Sequence, residues 1–428
     1  MSKIRSFFSR GRKVQTVDRF LSDLERRGLI MQSAGSADGA QWVVDGQPLR
    51  NFASCSYMGL EQHPALVDAA VRALRTYGSN FSISRAYLEC DLYRALEDAL
   101  DRMMDRHVMV APSTTMAHLA GLPVLVGDRD LCVIDQFAHA SMYMATELIS
   151  DVPIELLRHS RLDLLEKILI DAGEKYDRVW YLCDGVYSML GDFAPFAGLK
   201  DLLTRYPRLN LYVDDAHAMS WTGRHGRGAA LTHLGESDRV VVAVSLSKAF
   251  GAVGGALAFP TQSQRERVRR CGGPMIFSGP IAPAGLGAGL ASAELHLRPE
   301  FEAMQDELRE RMELVRGGLE EAGLTLATDA ETPIFVIHYD SALAAQNVVA
   351  ALRDRGFFSC VSTFPAVPIN KPSLRFTVSR HNSIADVKAM IETLVDVSTH
   401  TSPSVFGGTA PPPAPEEAEA EEAAAQSA

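Results

Sequence analysis

The chain has 428 residues, 47% of them hydrophobic, and a formal net charge of -11. This length and apolar content suffice for a large core in two or three lobes, and the acidic balance argues against a nucleic-acid-binding surface. The cysteines lack metal-ligand spacing, and neither a signal peptide nor a membrane-spanning apolar run is present. We therefore expect a cytoplasmic protein with reduced thiols and no metal site.

Residues 1–55 are predicted to form an N-terminal arm. Its first thirteen residues contain Phe7 and Phe8, and all their charged side chains are basic. Such a composition favours an anionic membrane surface, which makes peripheral membrane contact a hypothesis. Basic disordered termini are common, and they are the simpler interpretation.

Residues 56–295 are predicted to form a large α/β domain. A helix is expected from Pro64 to Tyr77, stopped by Gly78, and helical and apolar strand-like segments then alternate. Apolar runs at 131–134, 178–183, 209–213 and 240–244 indicate buried strands of a mostly parallel sheet.

Polar residues directly follow each of these four runs. Because the carboxyl ends of parallel strands meet at one edge of a sheet, where open α/β sheets bind ligands, these side chains are expected to form a site. His217 is three residues beyond Asp214, whereas alternation puts residues two apart on one face, so the turn after the strand must orient His217. The residues concerned are Asp135, His139, Asp184, Ser188, Asp214, His217, Ser245 and Lys248.

Lys248 is the most informative of them. It follows a core strand and lies among hydroxyls and glycines, in the run Ser-Leu-Ser-Lys-Ala-Phe-Gly. A partly desolvated amine in such a place suits a Schiff base to pyridoxal 5'-phosphate (PLP), and a buried acid such as Asp214 would keep the pyridine nitrogen protonated. Taken alone, the segment is equally typical of a surface lysine after a strand.

Residues 296–400 are predicted to form a smaller α+β C-terminal domain. A long amphipathic helix is expected near 298–321, with strands near 334–338 and 374–378. Residues 401–428 are rich in Pro, Ala and Glu, cannot build a core, and are predicted to be a disordered acidic tail.

The series of motifs resembles that of the α-oxoamine synthases within the fold-type I PLP enzymes. The resemblance covers roughly residues 50 to 395 and keeps the family's order. It implies a fold-type I PLP-dependent transferase, with a mostly parallel sheet in the large domain and a smaller α+β C-terminal domain. The matching stretches are Asp135-Gln-Phe-Ala-His-Ala-Ser141, Asp184-Gly-Val-Tyr-Ser-Met-Leu-Gly-Asp192, Val213-Asp-Asp-Ala-His217, Gly223-Arg-His-Gly-Arg-Gly228, Ser245-Leu-Ser-Lys-Ala-Phe-Gly251 and Ile276-Phe-Ser278.

Roles at the cofactor ring follow from this resemblance. Lys248 would form the Schiff base with PLP, and Asp214 would pair with the pyridinium nitrogen. His139 would stack on the ring, while His217 and Ser188 would lie near its phenolic oxygen.

The resemblance also assigns phosphate and substrate ligands. Ser245 would bind the phosphate within the subunit, and Ser278 would reach the phosphate of the partner's site, which implies a homodimer with shared active sites. Arg375 matches the arginine that grips the amino-acid carboxylate, a task that suits its fork geometry.

Three stretches depart from the family pattern. The phosphate loop usually has glycine and an aromatic residue, but here residues 112–118 read Pro-Ser-Thr-Thr-Met-Ala-His, so Thr114, Thr115 and helix N-terminal amides are expected to bind phosphate instead. Cys55 and Ser56 replace the family's asparagine before the Tyr-Leu-Gly turn, and a glycine and a histidine are missing within 84–97. The last two changes lie where the family handles its substrates.

The implied reaction is a decarboxylative condensation of an amino acid with an acyl-CoA or acyl-carrier-protein thioester, giving an α-amino ketone. L-serine with a long-chain acyl thioester, as in sphingolipid biosynthesis, is favoured, partly because the basic arm could meet a membrane. The second choice is 8-amino-7-oxononanoate synthase, which uses L-alanine and pimeloyl thioester. A fold-type I aminotransferase or aldolase would share Lys248 and Asp214, and a non-catalytic partner subunit remains a further alternative.

Overall fold

A computed structural model describes residues 11–364, 367–368 and 370–399 of the chain. The predicted tail at 401–428 and most of the basic start of the arm lie outside these ranges. The helices are α1 Gly11–Arg26, α2 Pro64–Tyr77, α3 Asp91–Met104, α4 Thr114–Leu125, α5 Ala140–Thr146, α6 Leu162–Ala172, α7 Phe196–Arg205, α8 Ala229–Leu234, α9 Gln262–Cys271, α10 Gly273–Phe277, α11 Pro283–His296, α12 Phe301–Glu321, α13 Ala342–Asp354 and α14 Ile384–Thr399.

Within the part of the chain that the structure describes, the strands are distributed over three sheets of seven, four and three strands. They are β1 Ala34–Ala37, β2 Gln41–Val44, β3 Gln47–Asn51, β4 His107–Ala111, β5 Leu131–Asp135, β6 Ile154–Leu157, β7 Val179–Asp184, β8 Leu209–Asp214, β9 Val240–Ser245, β10 Gly255–Phe259, β11 Ile334–His338, β12 Phe357–Phe358, β13 Cys360–Ser362 and β14 Ser373–Thr377.

The seven-stranded sheet has the order β4-β10-β9-β8-β7-β5-β6. Every pairing from β9 to β6 is parallel, and β10 alone runs antiparallel to both of its neighbours. Strands β7, β8 and β9 are buried along their whole length, which explains their continuous apolar sequences. The predicted mostly parallel sheet of the large domain is confirmed.

Alternate residues of the central strands enter two separate cores. Val213 and Val242 face the larger core, whereas Tyr212 and Ala243 face the smaller one on the other side of the sheet. This two-layered burial fixes the strand register, because a slip by one residue would exchange the two faces. The register in turn aligns the residues at the carboxyl ends of the strands.

The predicted arm contributes to a sheet. Strands β1, β2 and β3 pair with one another, and Arg50 and Asn51 of β3 pair in parallel with Phe357 and Phe358 of β12. Residues before 55 are thus joined to the C-terminal part of the chain. The domain boundaries at 55 and 295 stay predictions.

The remaining predicted elements agree with the structure. Helix α2 spans Pro64–Tyr77, and Gly78 follows it with φ of 81°, a backbone angle that favours glycine. Helix α12 covers the expected long helix, and the antiparallel sheet β11-β14-β13 carries Arg375 on its middle strand. Within the described ranges, no helix is both long and apolar enough to cross a bilayer.

Candidate active site

Four neighbouring parallel strands of the central sheet deliver the predicted site residues to one edge. Asp135, Asp184 and Asp214 are the last residues of β5, β7 and β8, and Lys248 lies in the turn after β9. Asp184 and Asp214 are directly paired across the sheet. The expectation that polar residues gather at this edge is confirmed.

Lys248 belongs to a short hydrogen-bonded chain. Its Nζ lies 2.8 Å from Nε2 of His217, and Nδ1 of His217 lies 2.8 Å from the hydroxyl of Tyr57. The turn after β8 orients His217, whose carbonyl accepts a hydrogen bond of 2.6 Å from Nε1 of Trp221. Burial, assisted by Lys248, lowers the pKa of His217 well below its usual value, so the imidazole is neutral.

No role is predicted for Tyr57 from the sequence. It lies two residues after Cys55, where the sequence differs from the family pattern, and this was the only sequence feature that drew attention to it. No spacing in the sequence predicts a contact between residues 57 and 217. The hydroxyl is fully buried, and burial raises its pKa well above the usual value. Tyr57 is therefore a neutral hydroxyl that holds His217 against Lys248.

Asp214 is held by two hydrogen bonds. Its Oδ1 accepts from the backbone N–H of Ala216 at 3.0 Å, and its Oδ2 lies 2.9 Å from Nε2 of His118. Burial by itself raises the pKa of Asp214, but His118, Lys248 and His139 outweigh it and hold the pKa well below its usual range. Asp214 is thus a buried anion, as an acid that pairs with a pyridinium must be.

His118 is a second functional candidate for which no sequence pattern predicts a role. It lies on α4, fully buried, and its Nδ1 is 2.9 Å from the hydroxyl of Tyr212. A lone histidine on an apolar helix reads as a core residue, and only the packing of α4 on the sheet brings it to Asp214.

His139 lies at the same edge and caps helix α5. Its backbone N–H donates to Oδ1 of Asp184 at 2.9 Å, and its Nδ1 lies 2.6 Å from the hydroxyl of Ser141. Burial lowers the pKa of His139, although Asp214 opposes this effect. The neutral ring is near enough to Asp214 and Lys248 for both charges to act on it.

A fourth histidine, His159, links the loops next to the site. His159 lies between two carboxylates, with Nδ1 at 3.0 Å from Asp135 and Nε2 at 2.9 Å from Asp192. Its ring also makes an edge contact with Tyr187, one residue before Ser188. Burial lowers the pKa of His159, but the two aspartates prevail and raise it to about 9. This clamp joins the loops after β5 and β7.

The N-terminus of α4 lies against the end of β9 and the start of β10. Ser113 caps the helix by accepting from the N–H of Met116, and the hydroxyl of Thr114 donates to the carbonyl of Val244 at 3.2 Å. A Cβ on Gly255 would lie 2.4 Å from the backbone nitrogen of Thr114, so the glycine permits this close approach. Thr115 is partly exposed at the same helix terminus.

The other predicted ligands have different surroundings. Oγ of Ser245 accepts from the N–H of Ser247 at 3.2 Å, at the start of the lysine turn. The hydroxyl of Ser278 donates to the carbonyl of Pro274 at 2.6 Å, a contact within its own segment. The carbonyl of Ser188, rather than its hydroxyl, makes a hydrogen bond to Arg375.

Arg375 is a buried cation next to the histidine chain. Only 6% of its surface is exposed, and its Nε donates to the carbonyl of Ser188 at 2.6 Å. Burial lowers its pKa, but Tyr57, Cys55 and Cys360 outweigh that effect and raise it. No carboxylate of the described residues forms a salt bridge with it.

The two other arginines that could grip a carboxylate are already paired. Arg85 forms salt bridges with Glu89 and Glu97, and Arg380 forms one with Glu307. Arg375 is therefore the best placed of the three to receive a carboxylate from outside the chain.

The residues at this edge fit PLP. An amine, a buried carboxylate anion and a neutral histidine surround one position, and a twelve-residue helix starts nearby with hydroxyl side chains and backbone amides. A helix N-terminus suits a phosphate, and a buried carboxylate suits a protonated pyridine nitrogen.

Comparison with known proteins agrees with this chemistry. The family aminotransferase class I and II matches residues 48–394. The 8-amino-7-oxononanoate synthase of Coprothermobacter proteolyticus is 30% identical over 384 residues, covering 89% of this chain and 96% of the relative. That of Maricaulis maris is 32% identical over 394 residues, covering 88% and 94%.

Among solved structures, serine palmitoyltransferase from S. paucimobilis superposes with a TM-score of 0.84 at 22% identity, covering 94% of this chain and 99% of that chain. At this identity the likeness concerns the fold. The resemblance drawn from the motifs is confirmed: the chain belongs to the α-oxoamine synthases, PLP-dependent acyltransferases of fold type I.

Proposed function

We propose that this protein condenses a small L-amino acid with an acyl thioester and releases the carboxylate of the amino acid as CO2. The observation that carries the proposal is the chain from Lys248 through His217 and Tyr57 to the buried Arg375. This chain supports the proposal because an amine suited to the cofactor and a guanidinium suited to a carboxylate are linked through only two side chains. When bound, PLP supplies an electron sink for the carbanion at the substrate Cα.

We assign the cofactor contacts as follows. Lys248 holds PLP covalently and removes the Cα proton, and Asp214 keeps the pyridine nitrogen protonated. His139 would stack on the ring, and His217 with Ser188 would lie near the phenolic oxygen. Thr114, Thr115 and Ser245 bind the phosphate with the amides at the start of α4.

Arg375 is proposed to orient the amino acid through its carboxylate. Its Nε donates to the carbonyl of Ser188, which fixes the plane of the guanidinium, and its other neighbours are the uncharged groups of Tyr57, Cys55 and Cys360 rather than a carboxylate. His217 and His139 are neutral, so either can polarise an oxygen or shuttle a proton during the condensation.

Two substrate pairs are supported by different observations. The basic, phenylalanine-containing first residues favour L-serine with a long-chain acyl thioester, because the product would enter a membrane. The names of the curated relatives favour L-alanine with pimeloyl thioester.

CoA and carrier-protein thioesters are both compatible with the site. Cytoplasmic location and peripheral membrane contact through the arm belong to the same proposal.

We also propose that the active unit is a homodimer with shared active sites. Tyr87 and Phe277 have 86% and 87% of their surfaces exposed, and a hydrogen bond of 2.7 Å from Ser84 to the carbonyl of Ile276 ties their loops together. Two large exposed aromatic side chains on connected loops are typical of a surface that a partner covers, which supports the proposed dimer. Ser278 is next to Phe277 in the chain. In a dimer joined at this surface, the Ser278 hydroxyl of one subunit would therefore reach the PLP phosphate in the active site of the other subunit.

The reaction is tested by incubating the holoenzyme with one amino acid and one thioester at a time. The amino acids are L-serine, L-alanine and glycine, and the thioesters are palmitoyl-CoA, pimeloyl-CoA and their carrier-protein forms. CO2 and free thiol are measured together, with Lys248→Ala as the control. Equal release of both supports the proposal. Amino transfer or aldol cleavage without CO2 and thiol would show another PLP reaction, and a colourless, inert protein would show a non-catalytic subunit.

A further inference from the structure

His118 connects two groups of the large domain that no motif links. Its ring is fully buried between the carboxylate of Asp214, 2.9 Å from Nε2, and the hydroxyl of Tyr212, 2.9 Å from Nδ1. Tyr212 is itself fully buried, and its ring lies against that of His118 with centroids 5.6 Å apart. The side chains of Tyr212, His118 and Asp214 are hydrogen-bonded in series, from the core to the candidate site.

The donor and the acceptor of each hydrogen bond in this series follow from the chemistry of the three side chains. Burial raises the pKa of Tyr212, so its hydroxyl keeps its proton. The carboxylate of Asp214 can only accept, so Nε2 of His118 carries a proton, and in that tautomer Nδ1 accepts from the hydroxyl of Tyr212. His118 therefore donates to Oδ2 of Asp214, and Tyr212 fixes the tautomer in which it does so.

A second buried carboxyl group lies beside Asp214. Asp184 is its direct cross-strand neighbour, and two adjacent buried carboxylates do not readily ionise together. Burial and the charge of Asp214 raise the pKa of Asp184, whereas His118 acts in the opposite direction on Asp214. Asp184 receives the N–H of His139 but has no histidine side chain as donor in the structure.

The other charged groups that face Asp214 do not select between the two acids. Lys248 acts on both carboxyl groups, and His139 approaches both, one through its ring and the other through its backbone. Each carboxyl group accepts one backbone N–H, from Ala216 at Asp214 and from His139 at Asp184, so the donor that distinguishes the two acids is the side chain of His118.

We propose that His118 is a positioning residue that keeps the negative charge on Asp214 rather than on Asp184, with Tyr212 holding it in the required tautomer. The inference rests on the proposed role of Asp214 at the pyridine nitrogen. Without the His118 donor, the charge is shared between the two carboxyl groups, and the ring nitrogen gives up its proton at lower pH.

The test reconstitutes the enzyme with PLP labelled with ¹⁵N in the ring and follows the protonation of that nitrogen by NMR as the pH is raised. In His118→Leu, the midpoint for loss of the ring proton is expected to fall by about one pH unit or more. His118→Gln carries an amide donor the same number of bonds from Cβ and should recover most of the shift. Cα-hydrogen exchange should fall at least about tenfold in His118→Leu, and the KM for the thioester should not change.

Tyr212→Phe gives a second measurement that does not depend on the folding of the His118 variants. Without the Tyr212 hydroxyl, His118 can carry its proton on either ring nitrogen. The midpoint for loss of the ring proton should therefore move in the same direction as in His118→Leu, by a smaller amount. Tyr181→Phe is the matched control, since this buried hydroxyl lies on the neighbouring strand and donates to Asp135 at 3.1 Å instead. An unchanged midpoint in both His118→Leu and Tyr212→Phe, or equal shifts in Tyr212→Phe and Tyr181→Phe, overturns the inference. A wild-type protein that binds no PLP overturns the proposed function instead.

Discussion

The amine of Lys248 and Nε2 of His217 are 2.8 Å apart, although the two residues belong to turns after different strands. His217 is neutral because burial and neighbouring cations lower its pKa, so its Nε2 accepts from the lysine while Nδ1 donates to Tyr57. This arrangement keeps an acceptor against the amine and holds Lys248 in one orientation before the cofactor binds.

Replacing Lys248 with alanine should abolish turnover while the protein still folds. The change removes the proposed covalent link and the proposed base, yet the position is only partly buried and accepts a small side chain. Steady-state CO2 release and the thermal unfolding midpoint are to be measured together. Multiple turnovers at the wild-type rate would defeat the assignment of Lys248.

Asp214→Asn should lower Cα-hydrogen exchange by orders of magnitude, with a smaller effect on PLP content. The amide keeps the volume of the side chain but lacks the charge that pairs with a protonated ring nitrogen. Asp215→Asn serves as the comparison, because Asp215 is equally buried and its Oδ2 accepts from the backbone of Ala230. If exchange falls in Asp215→Asn and not in Asp214→Asn, the wrong acid has been chosen.

Arg375→Lys should weaken binding of the amino acid by about 1.5–3 kcal/mol, the scale of a charge-assisted hydrogen bond. Lysine keeps the charge but loses the fork that accommodates a carboxylate and the contact with Ser188. Spectral titration of the holoenzyme with L-serine, L-alanine and glycine measures the effect, and the KM for the thioester should stay constant. Unchanged amino-acid affinity would move the carboxylate site away from Arg375.

His159 should make the stability of the protein depend on pH. Its pKa is raised from 6.5 to about 9 in the folded state, so its contribution is complete below about pH 6.5 and is lost as the pH rises through about 9. The maximum contribution is roughly 3 kcal/mol. Urea unfolding at about pH 6 and about pH 9.5 should show this loss in the wild type and a much smaller one in His159→Gln. The same pH dependence in both proteins would assign it to other groups.

Gly185→Ala should destabilise the fold by about 1–3 kcal/mol or more through overpacking. A Cβ at this position would lie 1.9 Å from Oδ1 of the buried Asp215. Gly317→Ala is the matched control, because a Cβ there meets open space within α12 and should stabilise the helix by about 0.5–1 kcal/mol. Thermal midpoints that move in the same direction in both variants would contradict the packing at Gly185.

The sequence by itself determined the sheet and the edge at which the site lies. Continuous apolar runs predict buried parallel strands, and the carboxyl ends of parallel strands meet at one edge, so Asp214, His217 and Lys248 could be grouped without coordinates. The order of the motifs determined the family and therefore the cofactor. These features depend on local patterns, which a single chain displays directly.

Only the tertiary structure decided the partners of those residues. His118 and Asp214 are separated by 96 positions, and Tyr57 and His217 by 160, and neither pair has a periodic relationship that a sequence could reveal. The pairing of β3 with β12 is likewise a contact between distant segments that no local pattern predicts. A hydrogen bond between distant segments is set by how a helix or strand packs on the sheet, and that packing results from side-chain volumes across the whole core rather than from any local pattern.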